Sequence, residues 1–140
     1  VFSNAVLHWI SDHPSLLQRI KKSMKRGAKI IAQMGGKGNA SGILRVLETM
    51  IADEKWAGYF EEFSVPYTFY DDREYMALLK SAGLKVKRAE LIPKQMIHNG
   101  RDGLAAWIRT TWLPYIRLRS STYYPWGKVC SFICVAKLII

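Results

Sequence analysis

The sequence predicts an α/β fold, and three observations predict it. Stretches rich in Val, Ile and Phe alternate with stretches whose apolar residues recur every three or four positions. Helix-starting polar residues and helix-ending glycines fall between the two kinds of stretch. With 49% apolar and 23% charged residues, the 140-residue chain has the material for one packed domain and is not of the disordered class.

The elements follow in order. Val1-Phe2-Ser3-Asn4-Ala5 reads as the end of a buried strand, releasing a polar-aromatic loop with His8 and Trp9. In open α/β sheets ligands sit beyond the carboxyl ends of strands, so this loop is placed like part of a site. No initiator methionine precedes it, and the start of the fold is expected to be missing. Ser11 or Asp12 can cap a helix to about Lys25, with Pro14 in its first turn and Gly27 at a left-handed exit. Lys29 to Met34 is expected to be a strand, Gly35-Gly36-Lys37-Gly38-Asn39 a loop, and Ser41 the cap of a helix through about Asp53. Trp56 to Phe63 reads as a second, shorter helix. Asp71-Asp72-Arg73-Glu74 is a capping-box pattern opening a helix that Gly83 closes. Leu84 to Ile92 alternates as a strand, Asp102 or Gly103 starts a helix through Leu113, and Pro114 ends it. From Lys128 onward a final strand is expected.

Charge and composition narrow the function classes. The net charge is +10, but Arg19, Lys21, Lys22, Lys25 and Arg26 alternate with Leu16, Leu17, Ile20 and Met24, the pattern of a solvated helix face. A nucleic-acid module would interleave aromatic residues on one basic face, and that pattern is not seen. Gly35-Gly36-Lys37-Gly38 lacks the Gly-Lys-Ser/Thr ending of a phosphate loop. His8, His13 and His98 have no metal-ligand spacing, so no metal is expected. A nucleophile elbow of Gly-x-Ser-x-Gly type is absent. No apolar run reaches the ~20 residues of a membrane-spanning helix. On a strand, Cys130 and Cys134 would stand about 13 Å apart, too far for a disulfide. Reduced thiols of this kind fit a cytoplasmic protein.

The run from Ser3-Asn4-Ala5 through His8-Trp9 to Ile10-Ser11-Asp12-His13-Pro14 resembles the segment after the fourth strand of class I S-adenosylmethionine-dependent methyltransferases, in particular the trans-aconitate methyltransferase type. Further blocks recur in the same order: Leu16-Leu17, Gly27 in the place of the usual Pro-Gly-Gly, Ala82-Gly83 before the sixth strand, and Gly103-Leu104 leading to Trp107-Ile108-Arg109-Thr110-Thr111-Trp112. The resemblance implies the C-terminal half of a Rossmann-like methyltransferase fold, strands four to seven with flanking helices, with the N-terminal half missing. Residues 1–140 would then be a single partial domain. The acidic-Gly-x-Gly-x-Gly turn that wraps the cofactor, and the acid that binds its ribose, are not in this sequence. Between Arg119 and Lys128 there is no room for the helix expected before the last strand, so 117–140 is expected to be atypical.

The site residues follow from the resemblance. Ser3, Asn4 and Ala5 would form a wall beside S-adenosylmethionine, and His8 and Trp9 would border both cofactor and acceptor. Trp107 and Arg109 would close the pocket and pair with an acidic small-molecule acceptor. No catalytic residue is assigned, because a carboxylate acceptor needs no base: its pKa lies around 4. The leading expectation is a methyltransferase acting on a carboxylate of a small acid or an acyl-carrier substrate in the full-length protein, the fragment alone being inactive. The alternatives are a non-catalytic remnant and a basic nucleic-acid-binding module. Self-association through an exposed first strand is also expected.

Overall fold

A short strand, β1 (Phe2–Asn4), runs parallel to β2 (Ile31–Gly35) in the register Phe2↔Ile31, Ser3↔Ala32, Asn4↔Gln33. A parallel pair needs a crossover, and α1 (His13–Ser23) supplies it. The computed structural model describes residues 1–58, 60–112 and 131–139. They fall into two units. Among the described residues, the first takes in Val1–Asn39, Pro66–Lys94 and most of the last strand; the second is built around Ala40–Val65 and residues 95–112.

In the first unit, α4 (Asp72–Ser81) follows the strand pair, and then comes β3 (Arg88–Met96), whose last residues pass into the second unit. The last strand, β4 (Ser131–Ile139), returns antiparallel to β2, giving the sheet order β1-β2-β4-β3. The fold is α/β, with a small mixed sheet. Its core joins Ala32 and Met34 of β2 to Leu17 of α1 and to Tyr75 and Leu79 of α4, with Leu7, Ile30 and Leu84 at the edges. Ala32 and Met34 alternate with Ile31 and Gln33, as the two-residue period of a strand requires. On the other face Phe2 and Ile31, partners in the register, stay 74% and 49% exposed.

In the second unit, α2 (Ser41–Ala52) buries Ile43 and Leu47, four residues apart on one face. A single turn, α3 (Glu54–Ala57), follows, and α5 (Gly100–Thr111) buries Leu104 and Ile108. No helix among the described residues is long and apolar enough to cross a membrane.

Local chemistry explains the elements that match expectation. Asp12 accepts from the Ser15 N–H at 3.0 Å to start α1. Both halves of the capping box form at α4: Asp71 accepts from the Glu74 N–H at 2.8 Å, and Glu74 accepts from the Asp71 N–H at 2.9 Å. At its other end Gly83 sits at φ +70°. Its N–H reaches the Lys80 carbonyl at 2.8 Å while the Leu84 N–H reaches Leu79 at 2.9 Å, a Schellman closure.

Several boundaries differ from the sequence reading, among them that of β2, which runs Ile31–Gly35 and so takes in the first glycine of the expected loop. β3 starts at Arg88 because Leu84 belongs to the closure of α4, its side chain buried in the same core as Leu79. Ser41 does not cap α2. Gly38 and Ala40 both take left-handed φ, +83° and +51°, and the Ala40 carbonyl receives the first helical bonds, which leaves Ser41 inside the first turn. The helix expected over Trp56–Phe63 is only Glu54–Ala57, started by Asp53 and followed by Gly58, a poor helix former. Helix α1 stops at Ser23, and Gly27, at φ +78°, serves the turn into β2 instead. Helix α5 begins at Gly100, before Asp102. The expectations for Cys130, Leu113 and Pro114, and for most of the segment 117–140, lie outside the described residues.

Candidate functional site

The site loop begins where β1 ends. Asn4 is its last strand residue, and Ala5 turns the chain with φ +55°, a conformation that costs a non-glycine residue of order 1–3 kcal/mol and persists only where the surroundings enforce it. Here the Ala5 N–H donates to the Gln33 carbonyl at 2.8 Å, which extends the β1/β2 ladder by one bond past the strand. A single 3₁₀ turn, Leu7–Trp9, follows and buries Leu7 in the core beneath it. With Leu7 pointing down, His8 is half-buried and Trp9 remains 41% exposed at the carboxyl ends of the two parallel strands.

His8 ties the loop to the next strand. Gly35, the last residue of β2, donates its N–H to His8 Nδ1 at 3.2 Å. A backbone N–H can only donate, so Nδ1 is an acceptor and the neutral ring carries its proton on Nε2. Burial lowers the His8 pKa below the ordinary histidine value, and the neighbouring His13 lowers it further. On the other side the His8 carbonyl accepts from the Thr68 N–H at 2.9 Å.

Thr68 belongs to the run Pro66 to Tyr70, which walls the loop with aromatic rings. Tyr67 and Phe69 stand two residues apart and stack at 5.8 Å with an interplanar angle of 8°. Both approach His8, at 6.4 and 5.8 Å, and Tyr67 meets Trp9 edge-on at 4.7 Å. Phe69 also covers Gly35: a β-carbon there would stand 2.6 Å from Phe69 Cε1 and 3.0 Å from Asn39 Nδ2. Gly35 is therefore glycine because a ring occupies the space of any side chain.

Two further features hold this end of the unit. Lys37 bridges Asp71 at 3.1 Å and Glu74 at 3.3 Å, and its N–H donates to the Tyr70 carbonyl at 2.9 Å, pinning the glycine-rich loop to the start of α4. Behind the loop, His13 is fully buried, its Nδ1 hydrogen-bonded to the Tyr75 hydroxyl at 3.1 Å. Burial lowers the His13 pKa against the opposing pull of the Ile10 and Leu7 carbonyls and Asp12. Desolvation likewise raises the Tyr75 phenol above its ordinary value, so both partners stay neutral at pH 7.

Of the residues singled out from sequence, Ser3, Asn4, Ala5, His8 and Trp9 come together on this loop. Trp107 and Arg109 lie on α5, in the second unit. Trp107 is half-buried against His98, at 5.2 Å, and meets Trp112 edge-on at 5.8 Å. Arg109 is exposed and makes no ion pair among the described residues. Two residues apart on a helix, the two side chains do not face each other. Sequence reasoning missed Gly35, Tyr67 and Phe69. The available signal was the aromatic density of Tyr67-Thr68-Phe69-Tyr70.

Several similar proteins carry methyltransferase names. No family model matches the chain. Among curated proteins, a trans-aconitate 2-methyltransferase from a Mycobacterium species is 32% identical over 124 residues, covering 85% of this chain and 47% of that protein. The enzyme of the same name from Rhodococcus jostii is 31% identical over 115 residues, 79% of this chain and 44% of its own length. An uncharacterized methyltransferase of Schizosaccharomyces pombe is 24% identical over 103 residues, 71% of this chain and 40% of its length. The chain belongs to the methyltransferase family. Its relatives there include enzymes of the trans-aconitate type, and it spans less than half the length of the curated relatives it matches.

Proposed function

We propose that this chain is the second half of an S-adenosylmethionine-dependent methyltransferase, strands four to seven, and that the full-length protein methylates a carboxylate of a small acid such as trans-aconitate. The observation that carries the reading is the loop at the carboxyl ends of β1 and β2, where Trp9 stays exposed and His8 is tied to Gly35. The substrate class rests on the names of the curated relatives, and Arg109 is the cation the reading needs. The outer edge of β1 pairs with no strand among the described residues, and Phe2 and Ile31 beside it are exposed, which supports a sheet that continues past β1.

The described residues fit one side of the cofactor. Exposed Asn4 and Ala5 close the strand end, Trp9 offers an aromatic face, and Asn39 Oδ1, buried beside Gly35, has no hydrogen-bond partner among the described residues. When bound, S-adenosylmethionine supplies an electrophilic methyl group on its sulfonium sulfur. The work left to the chain is orientation and exclusion of water. The Trp9, Tyr67 and Phe69 rings wall the loop of the first unit, and the proposed acceptor is a carboxylate. An acceptor of that kind is ionised at neutral pH, so no side chain has to remove a proton.

The test is methyl transfer by the full-length protein from labelled S-adenosylmethionine to a panel of small acids. Trp9→Ala should lower the rate by more than about tenfold, a loss of ~1.4 kcal/mol or more in transition-state stabilisation, while the thermal midpoint stays put. Labelling of no acid, or an unchanged rate in the variant, refutes the reading. The 140-residue chain by itself should bind S-adenosylhomocysteine weakly, because it offers one wall of a cleft; micromolar affinity in calorimetry counts against the half-fold reading.

A further inference from the structure

The geometry points to His8 as a fixed hydrogen-bond donor that holds a carboxylate of a bound molecule at the carboxyl ends of β1 and β2. This rests on the proposed methyl transfer and gives His8 a defined task within it. The Gly35 N–H occupies Nδ1 at 3.2 Å, so the only proton on the neutral ring is on Nε2. The ring cannot turn over to offer the other nitrogen without losing that bond, and it is flanked by Trp9 at 5.7 Å and Phe69 at 5.8 Å. Nε2 has no hydrogen-bond partner among the described residues, and it is not among the buried polar atoms that lack one. It is therefore a donor with access to solvent and a fixed direction.

Gly35 can serve this way only while it lacks a side chain, since Phe69 fills the space a β-carbon would need. Glycine, phenylalanine and histidine thus make one device: the ring of Phe69 fixes the glycine, and the glycine's N–H fixes the tautomer. A neutral N–H donor attracts oxygen lone pairs and offers nothing to an ammonium group. Hydrogen bonds to charged acceptors are the stronger ones, so a carboxylate is the group best matched to it. Two carboxylates are available to such a site, that of the methyl acceptor and that of the cofactor's methionyl portion.

Two substitutions separate this positioning task from a structural one. His8→Asn keeps an acceptor for the Gly35 N–H near the place of Nδ1 and loses the outer donor. His8→Gln loses the inner acceptor and places an amide N–H near Nε2. In the full-length protein, long-range proton–nitrogen correlation of the imidazole should show the Nε2–H tautomer at pH 7. The Nε2 signal should shift on addition of either S-adenosylhomocysteine or the acid that serves as acceptor. His8→Asn should weaken that ligand by at least about tenfold, and His8→Gln should recover most of the loss. An effect on the S-adenosylhomocysteine dissociation constant assigns the carboxylate to the cofactor; an effect on the Michaelis constant of the acid assigns it to the acceptor.

An Nδ1–H tautomer or a charged ring at pH 7 overturns the inference, as does a signal that neither ligand moves. The inference also fails if His8→Asn behaves as wild type while His8→Gln does not, because His8 would then serve only to tie the loop. Wild-type protein that binds S-adenosylhomocysteine and methylates an acid, together with any of these results, refutes the donor task and leaves methyl transfer standing. Wild-type protein that binds neither ligand refutes both.

Discussion

His8 is held by residues far away along the chain, whereas Trp107 is held by neighbours. The bond from Gly35 spans 27 residues, and Thr68, Tyr67 and Phe69 reach the same loop from further still. Trp107 packs on His98 just before its own helix and on Trp112 just after it. The loop after β1 is a product of tertiary assembly, and a change at Gly35 must be felt at His8. Helix α5 carries its aromatic group as a local arrangement, which substitutions elsewhere should leave in place.

The comparison breaks most visibly in catalysis. Arg109 is exposed, so in the full-length protein Arg109→Leu should leave folding alone and raise the Michaelis constant for an acidic acceptor. The rise should be about 10- to 150-fold, which corresponds to roughly 1.5–3 kcal/mol for a charge-assisted hydrogen bond. Steady-state kinetics with unaltered S-adenosylhomocysteine affinity would bear this out, and normal handling of acids would take the acceptor role from Arg109.

A sharper contrast comes from two glycines. At Gly35 an added β-carbon meets Phe69 at 2.6 Å, in a ring already stacked on Tyr67. Gly35→Ala should therefore destabilise by about 1–3 kcal/mol in urea unfolding, the usual cost of overpacking. The His8 imidazole signals should move with it. A variant as stable as wild type would show that Phe69 gives way freely.

Acid should act on the first region through its histidines. The pKa values of His8 and His13 are both lowered, chiefly by burial, so each is neutral in the folded state where the unfolded chain would already bind a proton. The stability they contribute is complete above the ordinary histidine value of about 6.5 and is lost as pH falls below it through the lowered folded-state values. Denaturation midpoints measured between about pH 7.5 and 5 should fall accordingly, and His8→Gln should flatten part of the slope. Midpoints that rise on acidification would show that the histidines are stabilised in the charged form.

The smallest effect is expected in α5. The β-carbon of an alanine at Gly103 would find its nearest neighbour, Asn99 Cβ, at 3.5 Å, an ordinary contact. Gly103→Ala should thus stabilise by roughly 0.5–1 kcal/mol, the entropy glycine loses inside a helix. A loss of stability would mean that α5 needs its glycine for packing.

Local chemistry was legible in the chain itself. Asp71 and Glu74 encode the start of α4, and Gly83 encodes its end, because each bond there joins residues a few positions apart. Pro14 after Asp12 marked α1 for the same reason, and the run from Ser3 to Trp9 was recognisable as a strand end passing into a loop. What could not be read was set by contacts between distant segments. Leu84 looked like a strand residue by alternation, but the core claimed it for the helix closure, which moved β3 to Arg88. Ser41 had the right chemistry for a cap, yet the left-handed turn at Ala40 put the helix start one residue earlier. Which nitrogen of His8 carries the proton, and why residue 35 lacks a side chain, depended on bringing β2 and the Tyr67–Phe69 run against one loop. Short-range hydrogen bonds and periodicity are written in adjacent residues, whereas ring packing and long-range donors exist only once the chain has closed on itself.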